Sequence, residues 1–365
     1  MRKMLLAIAG RAAALLLGLS VALAIAEIGT RLYAGVSLLP LVPPEPYIDD
    51  AVLYQPNLTR LYELRPGVDA IVGRRAIHIQ INRAGMRDDR DLPREKAPGT
   101  YRVAVLGDSF TFGGKVQQSE TFSQDLEREL RRRDVSLRYE ALNLAVPGYN
   151  TVQEMLSLKE AGLAYRPDLV ILNFVLNDAG PMQPLARSSS RVPLLIRRLL
   201  KRSDLFQLFY VSWKRGFLSA LPAAFRGGGH HRRELAEGEP GWNDAQTALA
   251  ELQRICAEHD ARLLVVVWPM LVDLTADYPQ RDEHQLVVSA CEKLRIPVCD
   301  LLPTFEGHDA STLWAERNDH HPNAAAFKMA ANAVVQLLVR GRWISERTGD
   351  AAATVLRAQN QDAGR

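Results

Sequence analysis

Cysteine is scarce in this chain: Cys256, Cys291 and Cys299 are the three in 365 residues. They are too few for a disulfide framework and lack the paired short spacings of a zinc site, so one disulfide is possible and none is required. Charge of one sign is not in excess either. Lys and Arg number 45 against 42 Asp and Glu, a formal net charge of +3, and this near balance gives no global argument for nucleic-acid binding. Repeats and low-complexity tracts are missing from the main body of the chain. A hydrophobic content of 47% beside 24% charged residues excludes a disordered or fibrous chain and is enough for one sizeable core with appendages, or for two small domains.

The N-terminus has a positive flank, Arg2 and Lys3, then an apolar stretch from Met4 to Ala26 broken only by Arg11 and ended by Glu27. The uninterrupted part from Ala12 would span about 22 Å as a helix, short of the roughly 30 Å of a bilayer core, which fits a signal peptide. Arg11 can snorkel to the cytoplasmic interface, however, and apolar character continues through Ile28, Leu32 and Tyr33, which fits an uncleaved anchor over residues 1–33. Small residues at Ala22, Ala24 and Ala26 leave cleavage open. In both cases the positive flank places the bulk of the chain outside the cytoplasm, anchored to the inner membrane on its periplasmic side or secreted.

Residues 34–98 are rich in Pro, Asp and Arg, with one alternating stretch, Ala76-Ile77-His78-Ile79-Gln80-Ile81, that reads as a strand. They are expected to form a linker and a small strand-bearing subdomain. Beyond them strand and helix patterns alternate. The apolar, β-branched runs are Tyr101 to Leu106, Leu137 to Ala145, Leu169 to Val175, Arg262 to Val267 and Pro297 to Leu302. Thr121-Phe122-Ser123-Gln124 and Thr151-Val152-Gln153-Glu154 read as capping boxes that open two of the intervening helices. Strands buried on both faces and alternating with helices imply a parallel sheet in an α/β sandwich, whose ligands bind at the carboxyl ends of the strands.

Those ends carry chemistry. The first strand runs into Gly107-Asp108-Ser109-Phe110, a serine between a glycine-bearing turn and a helical region. Gly-Asp-Ser is also a common turn or helix-cap tripeptide, and a serine hydroxyl becomes a useful nucleophile only when a base takes its proton. The second strand leads to Pro147-Gly148-Tyr149-Asn150, where a glycine lets a backbone N–H approach a substrate oxygen closely. The third ends in Asn177-Asp178, whose amide is a suitable oxyanion donor or a plain loop cap. Near the C-terminus, Asn318-Asp319-His320-His321-Pro322 precedes an Ala-rich amphipathic helix, and Pro322 at a first helical position would set the histidines just upstream. A histidine beside an aspartate supplies a base and its orienting group. Paired histidines with carboxylates are also a metal pattern, but no further ligand stands at suitable spacing, so no metal or cofactor is expected. His230 and His231, in a Gly- and Arg-rich loop, read as solvent-exposed and unrelated.

These four blocks, in this order, resemble the SGNH hydrolase family, also called GDSL esterases and lipases, over roughly Tyr101 to Val339. The resemblance implies a three-layer, flavodoxin-like α/β/α sandwich with a parallel central sheet, a serine nucleophile at Ser109 and a general base at His321. It implies an oxyanion hole from the Ser109 and Gly148 N–H groups and the Asn177 side chain. The N-terminal segment and Asn82-Arg83-Ala84-Gly85-Met86-Arg87 also look like a membrane-tethered bacterial branch. Two departures stand out: Val175 replaces the glycine of the Gly-x-Asn-Asp block, and the usual Asp-x-x-His spacing would fall on Asn318. Asp319, two residues before His321, is taken as the orienting acid, although a backbone carbonyl could hold the same tautomer.

The expected organisation is thus a signal or anchor at 1–33, the linker and subdomain at 34–98, a hydrolase domain at 99–342 and a polar tail at 343–365. Within the hydrolase domain, residues 187–233 form a basic insertion in which Arg197, Arg198, Lys201 and Arg202 interleave with Leu194, Leu199, Leu205 and Phe206. Such a segment suits a lid, an anionic membrane surface or an acidic glycan, or is an ordinary helical insertion. The expected activity is extracytoplasmic hydrolysis of acyl or acetyl esters on envelope glycans or lipids. Transfer of the acyl group to a sugar hydroxyl, and a noncatalytic glycan-binding protein on the same fold, are the alternatives.

Overall fold

The computed structural model describes residues 2–33, 50–73, 75–182, 203, 205–206, 235, 239–316 and 319–344. The linker at 34–49, the tail beyond 344 and the basic insertion, save Ser203, Leu205 and Phe206, lie outside the described residues. The chain divides into two compact units, the first holding residues 1–48, 71–77 and 188–227 and the second the remainder.

The first unit contains helix α1 (Arg2–Tyr33). Its stretch from Gly10 to Tyr33 is long and apolar enough to cross a membrane, about 36 Å at 1.5 Å per residue. The helix does not stop at Glu27, because Arg31 one turn later pairs with that carboxylate at 3.2 Å, and Ser203 Oγ donates to it at 2.9 Å. Leu15, Leu16, Leu17 and Ile25 are exposed along it, the surface expected of a signal or anchor helix.

In the second unit a short turn, α2 (Asp50–Leu53), leads into an antiparallel pair, β1 (Tyr54–Asn57) and β2 (Leu61–Leu64). Strands β3 (Asp69–Val72) and β4 (Ile77–Gln80), each divided between the two units, form another two-stranded sheet. The main body follows in the order β5 (Thr100–Leu106), α3 (Ser109–Phe112), α4 (Phe122–Arg133), β6 (Arg138–Asn143), α5 (Thr151–Glu160), β7 (Leu169–Phe174), α6 (Pro240–Glu258), β8 (Arg262–Val267), α7 (Arg281–Lys293), β9 (Val298–Asp300), α8 (Leu302–Phe305), β10 (Trp314–Glu316), β11 (Asp319–Pro322) and α9 (Ala324–Arg340). Five of these strands make one parallel sheet ordered β6-β5-β7-β8-β9. The order changes direction between β5 and β7, so the carboxyl ends of those strands flank the switch point where open α/β sheets bind ligands.

Alternation along the strands builds the three layers. Val103, Val105, Ile171, Leu264 and Val266 face one side, where they pack with Leu126 and Leu130 of α4 and Phe327, Val334 and Leu338 of α9. Ala104, Leu106, Val170, Leu172, Val265 and Val267 face the other, with Leu158 of α5, Leu249 and Leu252 of α6 and Val287 of α7. Trp268, fully buried just after β8, stacks on Phe305 at 5.6 Å and meets Phe110, Phe122 and Phe327 edge-on. The three cysteines are buried and free.

Local details differ from the sequence expectation in three places. Thr121 is the N-cap of α4 but makes no side-chain cap, since its hydroxyl donates back to the Gln118 carbonyl at 3.0 Å. The second capping box is shifted by one: Asn150 accepts from the Gln153 N–H at 3.0 Å while Gln153 accepts from the Asn150 N–H at 3.2 Å. The last sheet strand is only Val298–Asp300, because Asp300 turns back to accept from the Leu302 N–H and the chain enters α8.

Candidate active site

Ser109 is the first residue of α3, a single turn too short to stand alone. Gly107 before it has φ +153°, and a Cβ there would fall 2.1 Å from Thr111 Oγ1, so no side chain fits. Asp108 caps the turn by accepting from the Phe110 N–H at 2.8 Å. At the other end the buried Arg87 guanidinium donates to the carbonyls of Phe112 and, at 2.8 Å, of Val116, and lies over the Phe112 ring. Phe110 rests on Trp268 beneath. These contacts from both ends and below hold the serine at the surface.

His321 meets Ser109 across the site, Nε2 lying 2.8 Å from Ser109 Oγ. It sits on β11, which pairs antiparallel with β10, and not at the entry of a helix. Pro322 closes that strand; Asn323 is the true N-cap of α9, its side chain accepting from the Ala326 N–H at 3.0 Å and donating to the Thr312 and Trp314 carbonyls. Proline cannot make those bonds, which is why the helix starts two residues later than its position suggests. Asp319, on the same strand face two residues away, hydrogen-bonds His321 Nδ1 and accepts from the His321 backbone N–H at 3.2 Å. Asn318, at the usual family spacing, lies outside the described residues.

Burial of His321 works against its protonation, but the hydrogen bond and charge of Asp319, with a further contribution from Asp108, outweigh it and raise the imidazole above its ordinary value. Burial likewise pushes the Asp319 carboxyl up, yet its bonds to His321, and more weakly the Lys115 ammonium, hold it well below the usual carboxylate range. Lys115 Nζ stands 3.5 Å from Asp319 Oδ2 and 3.5 Å from Glu316 Oε2.

The other two expected positions lie in loops bonded to the one that carries the serine. Asn177, in a short 3-10 turn after β7, donates its amide to Asp108 Oδ2 at 3.0 Å, and Ser109 Oγ lies 3.3 Å from the same oxygen. Asp108 therefore joins the serine and the asparagine, a role its neighbour in sequence does not reveal. Gly148 lies in the turn after β6, at φ +80°, and that turn is tied to the Ser109 loop by the Val146 N–H donating to the Gly107 carbonyl at 3.0 Å. Val175 occupies the missing glycine position as a fully buried core residue whose N–H donates to Asp178 Oδ2 at 2.7 Å. Burial pushes the Asp178 and Glu154 carboxyls well up, helped by their mutual repulsion in Asp178 and by the Asp108 charge in both.

A hydroxyl bonded to an imidazole whose far nitrogen meets a carboxylate can lose its proton as it attacks a carbonyl. No group of His, Cys, Asp or Glu suited to a metal ion exists among the described residues. Lys115 escaped sequence reading, and so did the contacts made by Arg87 and Asp108, although both stood in segments singled out there; as an acidic residue just ahead of a helical turn, Asp108 also left a capping signal. His230 and His231 lie outside the described residues.

The match to known families agrees with this geometry. Residues 105–329, more than half of the chain, match the GDSL-like Lipase/Acylhydrolase family. No curated protein matches the chain. Among solved structures it is similar to a lipolytic protein of the G-D-S-L family from Desulfitobacterium hafniense DCB-2, at 12% identity and TM-score 0.40 over 65% of this chain and 99% of that one. It is also similar to the acetylxylan esterase Axe2 from Geobacillus stearothermophilus, at 14% identity and TM-score 0.41 over 66% and 94%. TesA is similar at 14% identity and TM-score 0.41 over 66% and 98%. The chain belongs to the GDSL-like lipase/acylhydrolase family of ester hydrolases.

Proposed function

We propose that this chain is an extracytoplasmic serine esterase in which Ser109 is the nucleophile, His321 the general base and Asp319 the acid that orients it. The reading rests on one observation above all, the continuous relay from Ser109 Oγ through His321 to Asp319. Ser109 attacks the acyl carbonyl and passes its proton to His321 Nε2, while Asp319 holds the Nδ1–H tautomer and stabilises the imidazolium. The Ser109 and Gly148 N–H groups and the Asn177 amide receive the charge on the carbonyl oxygen. His321 then returns the proton to the departing alcohol, and a water deprotonated by the same ring releases the acid from Ser109.

The substrates are acyl or acetyl esters on envelope glycans or lipids. This assignment is supported by α1 and its positive flank, the pattern of a signal or anchor segment that directs the chain after it out of the cytoplasm. The test is the rate of release from p-nitrophenyl acetate, butyrate and octanoate and from acetylated glycans, using the full-length chain in detergent beside Ser109→Ala and His321→Ala. Turnover lost in both variants is expected, with the chain-length profile separating acetyl from lipid substrates. A folded protein that binds acetylated glycans without releasing acetate would favour the noncatalytic alternative.

A further inference from the structure

The β1–β2 hairpin lies outside residues 105–329 matched to the family, yet it reaches the turn that carries Gly148. Tyr62, in the middle of β2, is 4% exposed, and its hydroxyl donates to the Pro147 carbonyl oxygen at 3.0 Å. That carbonyl and the Gly148 N–H belong to one planar trans peptide, in which they point in opposite directions. A bond that fixes the carbonyl therefore fixes the direction of the N–H. It also polarises the peptide in the sense that makes the N–H a stronger donor.

The hydroxyl is itself well held. The Tyr62 ring packs edge-on against Tyr54 and Tyr149 at 5.3 and 5.2 Å, and the Tyr149 hydroxyl, one residue past Gly148, donates to the Tyr62 carbonyl. Gln153 Nε2 on α5 donates to the Arg60 carbonyl at 2.7 Å, and Arg60 Nε meets Glu160 at 2.9 Å at the far end of the same helix. The hairpin is thus bonded to the helix that follows the Gly148 turn as well as to the turn. Gly148 fits this arrangement twice over, because φ is +80° and a Cβ would stand 2.8 Å from the Tyr62 hydroxyl.

We propose that Tyr62 is a positioning residue of the oxyanion hole, its hydroxyl setting the direction and donor strength of the Gly148 N–H from a hairpin that precedes the hydrolase fold. This rests on the reading of Gly148 as an oxyanion donor. Tyr62→Phe removes the hydroxyl and keeps the ring contacts. In the full-length protein it should lower kcat about 5- to 50-fold, part of the loss seen when an oxyanion donor is deleted, with KM changed less than about twofold. Affinity for a trifluoromethyl ketone, which forms a tetrahedral adduct with the serine, should fall in step with kcat. Arg60→Gln is the control, since it loosens the hairpin from α5 while leaving the Tyr62 hydroxyl in place, and it should lower Tm more than kcat. Tyr62→Phe with wild-type kcat beside an impaired Asn177→Ala would overturn the proposal and leave the oxyanion reading intact. Equal kcat losses in Tyr62→Phe and Arg60→Gln at equal Tm would overturn it in favour of hairpin stability. Wild-type kcat in both Tyr62→Phe and Asn177→Ala would instead remove the oxyanion reading on which it stands.

Discussion

Replacing Asp319 with Asn tests the relay where this chain departs from the usual family spacing. On the proposed mechanism the carboxylate does two things: one oxygen accepts from both His321 Nδ1 and the His321 backbone N–H, and its charge stabilises the imidazolium formed during attack. The amide loses the charge outright. It can still offer an oxygen to the ring, but that orientation turns its NH2 toward Lys115 Nζ, which lies 3.5 Å from Asp319 Oδ2, setting donor against cation. The opposite orientation donates to Nδ1 and moves the proton to Nε2, the wrong tautomer for accepting from Ser109. Two charges about 4 Å apart at an effective dielectric near 20 interact by about 4 kcal/mol. The His321 and Asp319 side chains are 37% and 23% exposed, so solvent screening takes part of this away. A loss of about 2 to 4 kcal/mol remains, roughly 30- to 1,000-fold in kcat. The assay is steady-state hydrolysis of p-nitrophenyl acetate by wild type, Asp319→Asn and His321→Ala, with Tm recorded for each. A loss below about tenfold in Asp319→Asn, beside an inactive His321→Ala, would reduce the relay to a Ser-His dyad and refute the role given to Asp319.

On the proposed mechanism, the raised His321 pKa sets the acid limb of the pH profile. The base works only when neutral, so kcat/KM should fall as pH drops through a pKa above the ordinary imidazole value of about 6.5. Asp319→Asn should move that limb to lower pH, since the main stabiliser of the protonated ring is gone. Lys115→Gln should move it to higher pH, because the Lys115 ammonium opposes protonation. A limb unmoved in both variants would show that another group titrates. Trp268→Ala should destabilise the fold by about 3 to 5 kcal/mol, the usual cost of emptying an aromatic core site, or roughly 6 to 20 °C in Tm for a domain of this size; thermal unfolding by circular dichroism checks it.

The sheet, and the place of Ser109 in the turn after its first strand, were legible because each depends on local pattern. Strands such as β7, buried at every residue, must be continuous apolar runs, and a parallel sheet then puts the loops after β5, β6 and β7 at one end. His321 and Asp319 were legible as a neighbouring pair, and less so in their setting. Their strand has four residues and its partner β10 three, too few for a period-2 pattern to show. The pairing of the two strands and the shift of the N-cap to Asn323 go with Asn323 side-chain bonds to the Thr312 and Trp314 carbonyls, 11 and 9 residues earlier. The same holds for Lys115, which meets Asp319 across 204 positions of sequence, and for Tyr62, whose hydroxyl meets a carbonyl 85 residues away. Residues that act by holding another group still carry no motif of their own.

Fluorophosphonate labelling of the full-length protein, with the modified residue located by mass spectrometry, tests the central claim most directly. The account predicts one adduct, on Ser109, formed only when His321 is present and accompanied by loss of esterase activity. A folded, unlabelled Ser109 in a protein that still hydrolyses esters, or an adduct on another residue, would contradict it.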